Sequence, residues 1–162
     1  MKRLTLLRHA KSSWDDATLD DFDRPLAPRG RRSAPEMGRR LKSRGEVPDL
    51  VVSSPAKRAV TTARMACREM SYPESRIIEE PGLYHASAGR IFEIVGSLET
   101  LAQHLMIVGH NPGFTDFANA LTDARIDNLV TAGVFVVEFD LEYWTELESG
   151  AGRFVYYDYP RN

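Results

Sequence analysis

The sequence predicts a three-layer α/β domain with a mostly parallel central sheet and an antiparallel edge. Three short apolar runs, at residues 4–7, 50–53 and 105–109, are separated by segments with a helical stripe, the alternation of a parallel sheet covered on both faces. Towards the end, strand-like runs at 134–139 and 153–157 are joined through Ser149-Gly150-Ala151-Gly152. This link is too short and too rich in glycine for a crossover helix, so the two strands pair antiparallel.

Leu4-Thr5-Leu6-Leu7 is long enough for one strand and too short for an ordinary helix, and it turns abruptly cationic at Arg8-His9-Ala10-Lys11. Residues 14–28 read as a long loop carrying Asp15, Asp16, Asp20, Asp21 and Asp23 ahead of Arg24-Pro25-Leu26. These carboxylates either tune a nearby cation or are solvated surface. A first helix begins at Pro28 and ends near Arg44-Gly45, with Pro35 expected to kink or delay it. Its arginines at 29, 31, 32, 39, 40 and 44, with Lys42, suit either an acidic partner or an exposed face balanced by the preceding aspartates.

Residues 50–53 then form a buried strand, and Ser54-Pro55-Ala56-Lys57-Arg58 leads into a helix running to about Met70. Residues 76–79 are a short third strand. Leu83-Tyr84-His85-Ala86 is a loop, followed by a helix capped by Ser87 and running through Ile91, Ile94 and Leu98. The clearest buried strand, 105–109, ends at Gly109-His110-Asn111-Pro112-Gly113, where a helix through Phe114, Phe117, Ala118 and Leu121 begins. His104 is expected at the surface, between helix and strand.

The 162 residues suit a single domain, 1–162, with one core. Hydrophobic residues at 43% and charged residues at 27% place the chain among ordinary globular proteins. A formal net charge of −2 gives no pull towards nucleic acid or an anionic membrane. Cys67, the only cysteine, reads as a small core side chain, and without a second cysteine a reducing compartment is favoured. The N-terminal apolar run is too short for a signal-peptide core or a membrane span, so the expected location is cytoplasmic. Four histidines without paired spacing suggest no metal site, and no cofactor is expected. Oligomeric state is not legible.

Chemistry gathers at the strand ends. In an open α/β sheet, ligands collect beyond the carboxyl ends of parallel strands. Arg8-His9, Arg58 and His110 each follow a predicted strand, and Arg58 sits in a first helical turn, where free backbone N–H groups favour an anion. A guanidinium fork suits phosphate, and an imidazole beside it either holds that phosphate or attacks it. The alternative is a set of solvated strand ends with surface ion pairs.

Leu7-Arg8-His9-Ala10, Ser53-Ser54-Pro55 with Arg58-Ala59 and Thr62-Ala63, Asp23-Arg24-Pro25-Leu26 with Gly30, and Val108-Gly109-His110 together resemble the histidine phosphatase superfamily. Its fold is the phosphoglycerate-mutase-like one. Ala10 stands where many members have Gly, and the short chain is most similar to the SixA-type phosphohistidine phosphatases. By this resemblance His9 is a nucleophile that becomes transiently phosphorylated, while Arg8, Arg58 and His110 grip the phosphoryl oxygens. Lys11 assists, and Ser12 and Ser54 either add hydrogen bonds or only cap and turn their loops.

Members that cleave phosphomonoesters tend to carry Glu or Asp near Leu83-Tyr84-His85 as general acid. None stands in this triplet, which favours a P–N substrate, since an imidazole protonated on its other nitrogen leaves as a neutral base. His85, Glu79, Glu80 or the acidic loop before Arg24 remain as candidate acids, and the favoured reading of His85 is loop surface. The implied activity is hydrolysis of phosphohistidine on a protein. A small-molecule phosphomonoesterase of the same fold and a phosphate-binding module without turnover are the alternatives.

Overall fold

The computed structural model describes residues 1–161, so only Asn162 of the expected domain lies outside the described residues. Six strands form one sheet: β1 (Lys2–Arg8), β2 (Leu50–Ser53), β3 (Ile78–Glu79), β4 (His104–Gly109), β5 (Val134–Phe139) and β6 (Gly152–Asp158). Their order is β3-β2-β4-β1-β5-β6. The first four strands are mutually parallel, while β5 and β6 run antiparallel along one side. The predicted architecture is therefore present.

Alternation along the strands builds two cores, one on each face of the sheet, rather than the single core expected. Leu4 and Leu6 of β1, Leu105 and Ile107 of β4, and Phe135 and Val137 of β5 face one side. There they meet α3 (Ala88–Gly96) and α4 (Gly113–Leu121). Leu7, Met106, Val108, Val134 and Val136 face the other, against α1 (Pro28–Ser43) and α2 (Lys57–Met70). Both faces are covered, which is why β4 reads as an unbroken apolar run.

Local expectations were met unevenly. The Ser87 hydroxyl caps α3 by accepting from the Arg90 amide at 3.1 Å, but that helix stops at Gly96, short of Leu98. The third strand shrinks to two edge residues, with Glu74–Arg76 forming a 3₁₀ turn before it. Helix α1 runs through Pro35 without interruption. One lost helical hydrogen bond there is offset by the burial of Ala34, Met37, Gly38 and Leu41 against Ala59, Ala63, Ala66 and Met70 of α2. Among the described residues, no helix is long and apolar enough to cross a membrane.

Candidate active site

Strand register assembles the site. In the parallel pair β1–β4, Arg8 lies opposite Gly109, so the next residues, His9 and His110, emerge side by side. The His9 amide donates to the Gly109 carbonyl at 3.0 Å, extending the pairing one step past the strands. On the other flank of β4, Ser53 of β2 pairs with Val108, which brings Ser54 next to His110 and starts α2 with Arg58 in its first turn. Three neighbouring strands thus deliver Arg8, His9, His110 and Arg58 to one end of the sheet.

His9 and His110 are buried, with ring centroids 5.3 Å apart. The His9 Nδ1 lies 2.8 Å from the Ala10 carbonyl, which can only accept, so Nδ1 carries the proton and Nε2 keeps its lone pair. Burial pushes the His9 imidazole down to about 3 against the opposing Ala10 bond, and the charges of Arg58, Arg8 and Arg24 add to the lowering. His110 is likewise pushed down to about 3, by burial first and then by His9, Arg58 and His85. Its Nε2 lies 2.8 Å from the Ser54 hydroxyl, which also accepts from the Ala56 amide, and with that hydroxyl donating to Nε2 the ring proton sits on Nδ1. Nδ1 of His110 is then a donor.

Arg58 is buried and Arg8 half-buried, and both guanidinium groups are only partly engaged. Arg8 donates from Nη1 to the Leu129 carbonyl at 3.0 Å, and burial lowers its basicity, with Arg58 acting in the same direction. Arg58 donates from Nη1 to the Asp21 carbonyl at 2.6 Å and from Nη2 to the Asp21 carboxylate at 2.9 Å. Four buried side-chain polar atoms among the described residues have no hydrogen-bond partner: Arg8 Nε, Arg58 Nε, His110 Nδ1 and Tyr156 Oη. Three of the four belong to this cluster, a concentration of unmet donors suited to an oxyanion.

Around this core sits a shell that the sequence showed only in outline. Thr62 of α2 accepts from the Ala10 amide at 2.9 Å and donates to the Arg58 carbonyl at 2.7 Å, tying the loop after β1 to the helix. Asp21, in the 3₁₀ turn Asp21–Asp23, reaches the site from the acidic loop. Besides Arg58, its carboxylate accepts from the Tyr84 hydroxyl at 2.6 Å and from Arg24 Nε at 3.2 Å, and lies 3.3 Å from His85 Nε2. Desolvation alone would raise the Asp21 carboxyl, but Tyr84, Arg58 and Arg24 together hold it well below the usual carboxylate range. Arg24 is itself buried and lies over the Trp14 ring, 3.4 Å from its centroid.

Two close backbone approaches hold these loops. A Cβ on Gly30 of α1 would strike the Lys11 carbonyl oxygen, and one on Gly113 would strike the Ala86 carbonyl that ends the Tyr84-His85 loop. Lys11 does not join the cluster. Its exposed side chain lines a cavity of about 210 Å³ with Arg29, Ser33, Val130, Thr131, Tyr159, Pro160 and Arg161. Ser12 is buried at an isolated bridge to Leu26. Glu79 is an exposed partner of Arg64 at 3.9 Å, and Glu80 accepts from the Gly82 amide at 2.9 Å. His104, expected at the surface, is instead largely buried and lies 2.8 Å from the Thr5 hydroxyl, because β4 begins one residue early and draws it in. Among the described residues no group of three His, Cys, Asp or Glu is placed to hold a metal ion.

Comparison with known proteins bears on the family and the fold. The chain is 34% identical over 153 residues to an uncharacterized chloroplastic protein of Arabidopsis thaliana, covering 90% of this chain and 70% of that protein. It is 33% identical over 165 residues to an uncharacterized Mycobacterium tuberculosis protein, covering 96% and 100%. Its fold superposes with a TM-score of 0.83 on an Agrobacterium tumefaciens protein classed as a phosphohistidine phosphatase, SixA, at 26% identity and 98% coverage of both chains. The family model of the histidine phosphatase superfamily (branch 1) matches residues 4–104, and the chain belongs to that superfamily.

Proposed function

We propose that this protein is a phosphatase that hydrolyses phosphohistidine on a protein through a phospho-His9 intermediate, without a metal or cofactor. The observation that carries the reading is the convergence of unmet buried donors on Arg8, Arg58 and His110 beside the unprotonated Nε2 of His9. Nε2 attacks phosphorus as the substrate P–N bond breaks and its electron pair leaves with the substrate imidazole, which carries a proton on its other nitrogen and departs neutral, while the guanidinium groups and His110 Nδ1 hold the phosphoryl oxygens. The proton on His9 Nδ1 stays with the Ala10 carbonyl throughout.

The choice of a P–N substrate rests on proton supply. Glu79 and Glu80 are engaged elsewhere, and Asp21 is held ionised, so none of these three carboxylates stands ready to protonate an alkoxide. The likeness to the protein classed as a phosphohistidine phosphatase supports the same substrate class. The test is to compare phosphate release from a phosphohistidine-bearing protein with release from sugar and aryl phosphates, and to trap the enzyme during turnover. The expected results are a preference for the protein substrate and an acid-labile phosphate on the wild type that is missing in His9→Ala. Higher efficiency on the small esters would overturn the substrate assignment, and a wild type that binds phosphate but never becomes labelled would make the protein a binding module.

A further inference from the structure

Breakdown of phospho-His9 by water releases a proton, and none of the three phosphate-gripping residues is free to take it. The Tyr84-His85 loop supplies a group that is. His85 Nε2 lies 3.3 Å from the Asp21 carboxylate, and its ring stacks on Tyr84 with centroids 4.1 Å apart and planes at 29°. The same ring stands perpendicular to His110 at 5.7 Å, and His110 is 5.3 Å from His9, so one ring separates His85 from the nucleophile. The His85 side chain is 55% exposed, which places it at the mouth of the site with access to water.

We propose that His85 is the general base for hydrolysis of phospho-His9, with Asp21 as its positioning residue. The proposal rests on the phospho-His9 reading above. The Asp21 carboxylate, kept ionised by Tyr84, Arg58 and Arg24, favours the tautomer with hydrogen on Nε2 and leaves the Nδ1 lone pair as the acceptor. Groups facing His85 are Asp21 from the acidic loop, Tyr84 from its own loop and His110 beyond β4, with Arg58 of α2 bound to the same carboxylate. Its backbone is held at φ +54°, a left-handed conformation retained beside a reacting centre.

In this step the water oxygen bonds to phosphorus as the P–Nε2 bond of phospho-His9 breaks, and that electron pair returns to Nε2. The water proton passes to His85 Nδ1, inorganic phosphate departs, and His85 releases the proton to solvent. His9 is restored with its proton still on Nδ1.

The experiment follows labelled phospho-His9 by rapid quench after mixing with a phosphohistidine-bearing protein. In His85→Ala, labelling of His9 is expected at close to the wild-type rate, while decay of the label slows about 100-fold. Free imidazole should restore the decay, because the site is open there. In Asp21→Asn, decay should slow less than in His85→Ala, since His85 keeps its ring but loses the carboxylate that orients it. Unchanged decay in His85→Ala overturns the proposal, as does slowed decay that keeps the wild-type pH profile and ignores imidazole. A wild type that never labels overturns the phospho-His9 reading itself.

Discussion

Strand β4 has a histidine at each end, and the two ends of the sheet they mark are built on different charge balances. At the start, His104 meets Thr5 and lies 3.9 Å from Glu46. There Arg3 binds both Glu46 and Glu138, and Arg153 binds Glu138, so both arginines have a carboxylate. Beyond the far end, His110 sits with His9, Arg8 and Arg58, and Asp21 is the one carboxylate that reaches them among the contacts described. Burial lowers the His104 imidazole to about 4 and the His110 imidazole to about 3, so the two histidines are alike in their own titration. The lesson is that a buried histidine does not mark a site. Cations left short of acceptors do, because their desolvation is unrepaid until an anion arrives.

The strongest way to break that comparison is to exchange the fates of the two ends by mutation. Arg8→Ala or Arg58→Ala should each lower kcat/KM by about 100-fold to 1000-fold, the usual loss when one donor to a developing charge is removed. Arg3→Ala should leave turnover near wild type and cost about 1 kcal/mol of stability, since it strips the buried Glu46 of its guanidinium partner. Steady-state kinetics and urea titration check the pair. Near-normal turnover in both site variants would mean that the phosphate binds elsewhere.

A smaller effect is expected from anion binding alone. Orthovanadate or phosphate at about a hundredfold excess over its Kd should stabilise the wild type by about 2.7 kcal/mol. The stabilisation should persist in Arg3→Ala and vanish in Arg58→Ala, as read by thermal melts.

The smallest effect is the one in which both ends should behave alike. His9, His104 and His110 have folded-state values of about 3, 4 and 3, against an unfolded value of about 6.5. Between those limits the unfolded chain binds more protons. Stability from these groups is therefore complete above about pH 6.5 and falls as the pH drops towards the folded values. His104→Gln and His110→Gln should each flatten this acid slope in urea titrations across pH 4 to 7, yet only His110→Gln should lose turnover.

The sequence was most legible where local pattern and long-range packing agree. Apolar runs located the strands, and the residues just past their ends named Arg8, His9, Arg58 and His110 before any geometry was known. Pro35 shows the limit of local reasoning, because burial along α1 outweighs one missing hydrogen bond. Asp21 shows it again. Nothing in a run of five aspartates distinguishes the one that folds back onto Arg58, since a loop has no periodicity and its partners lie 37 and 63 residues away. His85 was visible as a candidate proton-transfer group but could not be separated from Glu79 or Glu80 until their partners were known.

The amino-acid order by itself determined the layered α/β class, the parallel strands with their antiparallel edge, and the types of group waiting at the strand ends, because these follow from residue-scale periodicity and side-chain chemistry. Only the tertiary structure decided the strand order that sets β4 between β1 and β2, and hence the meeting of His9, His110 and Arg58. It also decided which carboxylate would answer them and that Lys11 would face another cavity. Register and loop closure join residues far apart in the chain, and no local pattern encodes which of many sterically allowed partners will come within hydrogen-bond reach.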